Sequence, residues 1–234
     1  MRILVIDIGG SHFKFLATGH KKPVKMPSGA QLTPQRMVAH VKRSTSEYDA
    51  VSIGYPGGVH RGRIIEDAPN LGNGWVEFDF QKAFGCPVKI VNDSAMQALG
   101  SYRGGRMLFL GLGTGLGSTF ILEGVVHAME LGDLPYRKGR IYTEYRGKAG
   151  RKRLGQARWA WHVAKAVTQF QAALQPEYTV VGGGAAAHPL RLPRGAVRGH
   201  NNKAFLGGFR LWEKRVLKGI RKKAKPGEVA SFGM

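Results

Sequence analysis

The sequence predicts an α/β fold, and three observations carry the prediction. Short buried-type runs recur along the chain and end in glycine or in a polar turn. Stretches of helical period with cap signals stand between them. Hydrophobic residues make up 43% of 234 residues, enough to bury a real core. Arg2–Ile8 reads as a buried strand, since Ile3, Leu4, Val5, Ile6 and Ile8 are nearly continuous. Gly9–Gly10 stops it and His12–Thr18 resumes an extended pattern, which predicts a hairpin. Thr33 at the N-cap and Pro34 at the first helical position open a helix with Met37, Val38 and Val41 on one face. Ala50–Gly54 is a short buried strand. Tyr55–Gly74, rich in Gly, Pro and Asn, is mostly loop with one strand at Arg63–Glu66.

Further along, Trp75–Phe84 is expected as a short helix and Val88–Val91 as a strand with Asn92–Asp93 at its carboxyl end. Ser94–Tyr102 continues as a helix. Met107–Leu112 and Ser118–Leu122 are strands around the loop Gly113–Gly117. Gly150–Leu174 reads as one helix with Leu154, Ala157, Trp161, Ala164, Val167 and Gln171 along one side, and Val163, Phe170 and Leu174 beside them. Tyr178–Val181 is a strand closed by Gly182–Gly184. Ala204–Lys223 is a last helix, apolar first and basic later, and Ala224–Met234 reads as frayed. No internal repeat shows by period.

The formal charge is +21, and it is uneven. Residues 135–234 hold 22 of the 36 Lys and Arg but only 4 of the 15 Asp and Glu. Such a surface attracts polyanions, while a merely solvated basic face is the plain alternative. One cysteine, Cys86, excludes a disulfide framework and a cysteine zinc cluster. No apolar run is long enough to span a bilayer. The amino-terminal residues pass straight into a strand without a small-residue cleavage site, so a cytoplasmic location and no membrane partner are expected.

Six segments could carry chemistry. Asp7-Ile8-Gly9-Gly10-Ser11-His12-Phe13-Lys14 ends a buried strand in a carboxylate, then glycines that let backbone amides face an anion, a hydroxyl at Ser11 and a cation at Lys14. Asp7 stands where a carboxylate holds a metal ion bridged to phosphate; a plain hairpin turn is the other reading. Gly111-Leu112-Gly113-Thr114-Gly115-Leu116-Gly117-Ser118 is a second amide-lined turn. It has neither the dinucleotide nor the P-loop spacing. Gly182-Gly183-Gly184-Ala185-Ala186-Ala187 does fit G-x-G-x-x-A, but no acid follows before Glu213 and His188-Pro189 cuts the helix short, against a dinucleotide site. Asp93 suits a general base at the start of a helix, or is simply its N-cap. Gly54–Gly58 and Pro69–Trp75 are polar loops able to line a polyhydroxylated ligand. Glu130 and Asp133, with Glu144 further on, are acceptors for sugar hydroxyls or mere charge balance.

Together these motifs stand in a telling order: D-x-G-G-S-x-x-K, G-Y-P-G, N-L-x-x-x-W, N-D, G-T-G-L-G-S, E-L-G and a late G-G-G. The set resembles the sugar kinases of the repressor/open-reading-frame/kinase (ROK) family, most closely their polyphosphate glucokinase branch, from Ile3 to about Trp212. The resemblance implies a two-lobed actin-like ATPase fold, built from ribonuclease H-like lobes with a cleft between them. It implies an N-terminal lobe over residues 1–92, a C-terminal lobe over 93–212 and a basic end over 213–234. It implies phosphate binding by Asp7, Gly9, Gly10, Ser11 and Lys14 and by Gly113, Thr114, Gly115 and Gly117. Gly182, Gly183 and Gly184 would meet the nucleotide or the polyphosphate chain. Asp93 looks like the catalytic base, and Asn70, Asn92, Asp93, Glu130, Asp133 and Glu144 look like sugar contacts. Mg²⁺, held at Asp7, would accompany the donor. Two departures stand out. The family's E-[ILV]-G-H segment reads Glu130-Leu131-Gly132-Asp133, which puts an acceptor-only carboxylate where the family has a histidine. Thr143 stands where close relatives usually carry an acid.

The activity so implied is transfer of a phosphoryl group from polyphosphate or ATP to the 6-hydroxyl of a hexose, glucose first, with a homodimer as the common assembly of such kinases. The alternative is a diverged, weakly active or inactive member that binds polyphosphate or nucleic acid through its basic C-terminal half. The helix Trp212–Lys223 has too little apolar surface to insert in a membrane.

Overall fold

The computed structural model describes residues 1–45, 47–200 and 202–213. β1 (Ile3–Ile8) and β2 (His12–Ala17) form the expected antiparallel hairpin. β3 (Val24–Pro27) extends it. No apolar alternation marks that strand in the sequence, because it is a short edge, mostly exposed. α1 (Pro34–Ser44) begins where the cap predicts, with the Thr33 hydroxyl accepting from the Arg36 amide at 3.4 Å. β4 (Ala50–Tyr55) follows, and then a small ribbon of β5 (Val59–His60) and β6 (Arg63–Ile64).

The helix expected from Trp75 starts later, as α2 (Phe80–Phe84), because the Asp79 carboxylate caps the Lys82 amide at 2.9 Å. Trp75 is held in the loop instead. Its amide donates to Asp67 at 2.8 Å, and its indole N–H donates to the Gly72 carbonyl at 2.7 Å. The ring is fully buried against Tyr55.

β7 (Val88–Asn92) and α3 (Asp93–Ser101) match expectation. β8 (Arg106–Leu112), β9 (Leu116–Leu122) and β10 (Val125–Met129) form an antiparallel meander. β11 (Pro135–Arg137) and β12 (Arg140–Ile141) pair as a ribbon. The single helix expected over Gly150–Leu174 is broken into α5 (Lys148–Leu154) and α6 (Gln156–Leu174), with α4 (Tyr142–Arg146) before them. Gly155 has φ near +75°, which no helix interior accommodates. The buried face of α6 is also turned from the expected one. Trp159, Val163, Ala166, Val167 and Phe170 face Leu108, Leu110 and Val181 of the sheet, while Trp161 is 52% exposed. Either stripe satisfies a 3.6 period, and only the sheet beneath chooses between them. β13 (Tyr178–Gly182), β14 (Ala196–Arg198) and α7 (Lys203–Arg210) complete the described elements. The basic continuation expected to Lys223, and the end beyond it, lie outside the described residues from Lys214 onward.

Two five-stranded sheets result, ordered β3-β2-β1-β4-β7 and β10-β9-β8-β13-β14. Both join an antiparallel three-stranded meander to parallel strands, a duplication of topology that has no counterpart in a sequence period. In the first sheet Leu4, Ile6 and Ile8 pack toward α1, while Ile3 and Val5 pack against Met96 of α3 and Phe205 of α7. Strand alternation therefore turns Asp7 to the α3 side. In the second sheet Met107 and Phe109 meet Ala98 and Leu99 of α3. α3 thus lies between the sheets, and α7 lies against α3, β1 and β4.

The α3–α7 approach is possible because glycines face it. A Cβ on Gly100 would run into the Lys203 carbonyl, and one on Gly207 into the Met96 carbonyl. Ser52 of β4 donates to the Gly208 carbonyl at 2.7 Å and accepts from the Trp212 indole at 2.8 Å. No described helix is long and apolar enough to cross a membrane. Gly207→Ala is expected to lower the unfolding free energy by about 2–3 kcal/mol, as overpacking does. Gly184→Ala, which enters open space, should change it by less than about 0.5 kcal/mol. Urea denaturation of the two variants checks both.

Candidate active site

The parallel strands β1, β4 and β7 end side by side, with Asp7 opposite Gly54 and Gly54 opposite Val91. The carboxyl ends of such strands form a natural ligand crevice. Asp93 opens α3 at the same edge. The capping role that Asp93 would otherwise serve belongs to Asn92. Its Oδ1 accepts from the Ser94 amide at 2.9 Å and the Ala95 amide at 3.4 Å, and its Nδ2 donates to the Gly57 carbonyl at 3.1 Å. The Asn92 amide is therefore committed to local structure at both ends, and the Asp93 carboxylate has no cap to serve.

Asp93 accepts from the Ser94 hydroxyl at 3.3 Å. Burial, and then the charge of Asp7, push its pKa up to about 7, against the pull of the Ser94 hydrogen bonds. Burial likewise raises Asp7 to about 6, opposed by Lys14 across the hairpin. Gly54 keeps the ground near them clear, because a Cβ there would strike Met96 and come within 3.5 Å of the Asp93 Cα.

The two glycine turns meet over this edge. Gly9 donates to the His12 carbonyl at 3.0 Å, and the Ser28 hydroxyl donates to the Gly9 carbonyl. A Cβ on Gly10 would lie 3.5 Å from both Asn70 Nδ2 and Thr114 Oγ1, so the first turn, the Asn70 loop and the second turn converge there. In the second turn the Gly113 amide donates to the Gly115 carbonyl at 3.1 Å, and the Lys148 amide donates to the Gly113 carbonyl at 3.0 Å. Gly113 and Thr114 are exposed, as is Ser11 in the first turn. Gly117 lies too close to the Ser94 hydroxyl to carry any side chain. Gly183, at φ near +83°, packs on the Leu112 backbone, which brings Gly182–Gly184 beside the second turn, and Gly184 faces open space.

The acidic group divides. Glu130 and Asp133 flank a short 3₁₀ turn over Leu131–Asp133, and burial raises the Glu130 pKa, helped by the charges of Asp133 and Glu66. Glu144 is engaged locally. Its carboxylate accepts from the Ile141 amide at 2.9 Å and lies 3.8 Å from Arg140, so it caps α4. No described contact joins it to Glu130 or Asp133.

Ser94 contributes although the sequence analysis gives it no role, whereas Gly54 and Thr143 lie in segments that the sequence marks. The Thr143 hydroxyl accepts from the Leu116 amide at 3.3 Å, and its methyl fills the space beside Gly115. For Ser94, its place beside Asp93 is the visible signal.

Among the described residues no cluster of three or more His, Cys, Asp or Glu could hold a metal ion by itself. Asp7 nonetheless fits one. It is a buried hard oxygen donor opposed by a single cation, and Mg²⁺ usually takes one or two carboxylates with phosphate and water.

Two sheets of like topology, with a carboxylate pair and two glycine turns where they approach, define the class: an actin-like ATPase fold. The ROK family model matches residues 3–132, more than half of the chain, and the chain belongs to the ROK family. Among solved structures, an inorganic polyphosphate/ATP-glucomannokinase from Arthrobacter sp. strain KM is similar at 22% identity and a TM-score of 0.75, over 94% of this chain and 98% of that one. A ROK family protein from Streptococcus pneumoniae TIGR4 in complex with sucrose is similar at 17% identity and 0.71, over 91% and 98%. A ROK family glucokinase from Streptomyces griseus in complex with glucose and AMPPNP is similar at 15% identity and 0.70, over 90% and 99%. No curated protein matches the chain.

Asp93→Asn should stabilise the folded chain near pH 8. A carboxyl whose folded pKa lies above 3.8, at about 7, binds its proton more tightly when folded. The wild type therefore loses stability as pH rises from about 4 to about 7, and the gain of the variant grows across that window. Thermal melts from pH 4 to 8 read the difference, and a variant that is destabilised at pH 8 would contradict the burial of this charge.

Proposed function

We propose that the chain is a sugar kinase that transfers a phosphoryl group from ATP or polyphosphate to the 6-hydroxyl of a hexose, with glucose as the first candidate. The observation that carries the reading is the Asp93 carboxylate, raised to about 7 and free of capping duty, beside two converging glycine turns. Membership of the ROK family and a fold shared with a glucomannokinase and a glucokinase support it. A base with a pKa near the working pH is well matched to accept a proton from an alcohol as the alcohol attacks phosphorus. Asp93 takes that proton, and Ser94 holds the carboxylate in place.

The amides around Gly9–Ser11 and Gly113–Gly115, with the Thr114 hydroxyl and Lys14, bind the phosphate oxygens over which charge spreads in the transition state. Asp7 would hold Mg²⁺, which when bound offsets phosphate charge. Asn70 and Glu130 are the sugar contacts best placed, with Asp133 beside Glu130; Asn92 and Glu144 act through the local structure that they cap. Gly182–Gly184 border the donor. The two lobes of the proposal are the two sheets with their helices, and α7 from the end of the described chain packs back on the first.

Coupled assays of glucose 6-phosphate formation with ATP and with polyphosphate test the reading. Asp93→Ala is expected to lower kcat by about 10²–10⁴-fold, the usual worth of a positioned base, with a normal melting transition. The wild-type kcat/KM should fall below pH 7, following the titration of Asp93. Asp133→His should lower the KM for glucose several-fold by restoring a hydrogen-bond donor and removing a charge beside Glu130. Undiminished turnover by Asp93→Ala would remove the base assignment, and no turnover with either donor on a panel of hexoses would remove the activity.

A further inference from the structure

The α6 face that carries Trp161 is unlike the rest of the surface. Trp161 sits 52% exposed on the solvent side of the helix, while Trp75 and Trp159 are fully buried. Arg158, Trp161 and Lys165 share one stripe of α6, about 10 Å long at 1.5 Å per residue. Lys165 Nζ lies 5.2 Å from the Trp161 ring centroid. The stripe continues inward through rings. Trp161 meets His162 at 4.8 Å, His162 meets Tyr145 at 4.8 Å, and the Arg153 guanidinium covers Tyr145 at 5.0 Å. Tyr136 bonds His162 at 2.9 Å, which brings Arg137 to the same patch.

Arg146 lies below, fully buried between the rings of Tyr136 and Tyr142 at 3.9 and 4.2 Å, with Nε and Nη2 unpartnered. It adds a positive charge that no carboxylate among the described residues pairs with. Among the described residues, no carboxylate lies within ion-pairing reach of Arg137, Arg153, Arg158 or Lys165, and Glu144 pairs with Arg140 instead.

We propose that this face binds single-stranded nucleic acid, with Trp161 as the platform on which a base stacks and Arg137, Arg153, Arg158 and Lys165 as contacts to the phosphates on either side. Unneutralised cations beside an exposed aromatic ring are the chemistry of sequence-tolerant single-strand binding. Inorganic polyphosphate satisfies the cations but has nothing to lay on an indole. A duplex hides its base faces, and a membrane would need more apolar surface than one ring among Arg158, Lys165 and Thr168. The proposal is independent of the kinase reading, because it uses none of the residues placed at that site.

The test is titration of the full-length chain with labelled oligothymidylate about 20 nucleotides long, against duplex DNA and polyphosphate as competitors. Binding should quench tryptophan emission. Trp161→Ala should weaken binding about tenfold or more and abolish most of the quench, given the worth of one stacked base. Trp161→Phe should stay within about threefold of wild type, because it keeps a ring. Losing two phosphate contacts in Arg158→Gln/Lys165→Gln should flatten the slope of log K against log salt by about 1.4. Kinase turnover should be unchanged in all of these variants. The proposal is overturned if Trp161→Ala binds the oligonucleotide as tightly as wild type, if duplex binds as well as single strand, or if polyphosphate binding depends on Trp161 to the same degree. The last result would mark the face as a polyphosphate surface.

Discussion

α3 lies against α7 through facing glycines, and the site depends on that contact. Gly100 and Gly207 each take the partner helix's backbone where a Cβ would otherwise stand, and Gly208 takes Val5. α3 can therefore lie between the two sheets and close to β1. Its first residue, Asp93, then comes near enough to Asp7 for their charges to interact. Gly54 and Gly117 repeat the device on either side of the α3 amino terminus, where Met96 and Ser94 occupy the space of the absent side chains. Larger residues at these positions would move the helix, and the carboxylate pair with it.

Keeping two carboxylates in that position opposes folding at neutral pH, since burial favours their protonated forms. Lys14 is the nearby cation that offsets Asp7 in part. Such tension is common where a side chain must exchange protons or meet a cationic ligand, and uncommon where a fold needs only stability. The chain's excess of positive charge is not spent there. Part of it lies on α4, α5, α6 and the β11–β12 ribbon, where Arg146 is packed between tyrosines and Lys165 lies beside Trp161. The two proposals, phosphoryl transfer at one edge and single-strand binding at a separate face, draw on different residues.

Much of the molecule is legible in the sequence. The strand that ends in Asp7, the Thr33-Pro34 helix start, the β8–β9 hairpin and both glycine turns follow from local rules, because cap chemistry, alternation and glycine placement act over a few neighbouring residues. The order of the motifs, set beside the family resemblance, named the fold and nearly every candidate residue at the site. The readings that failed depended on partners outside the few neighbouring residues that local rules span. Trp75 looked like a helix start, but Asp67 takes its amide. Trp161 looked like core, but the sheet under α6 meets Trp159 and Val163 instead.

The sequence by itself therefore determined the α/β class, the main buried strands, both glycine turns and the identity of the chemical groups, since these are set by period, composition and short-range hydrogen bonding. Tertiary structure alone decided which groups meet. It drew Gly10, Asn70 and Thr114 together and selected which stripe of α6 faces water. A helical period fixes the angles among residues on one helix, but its rotation relative to a sheet is set only when the two surfaces pack.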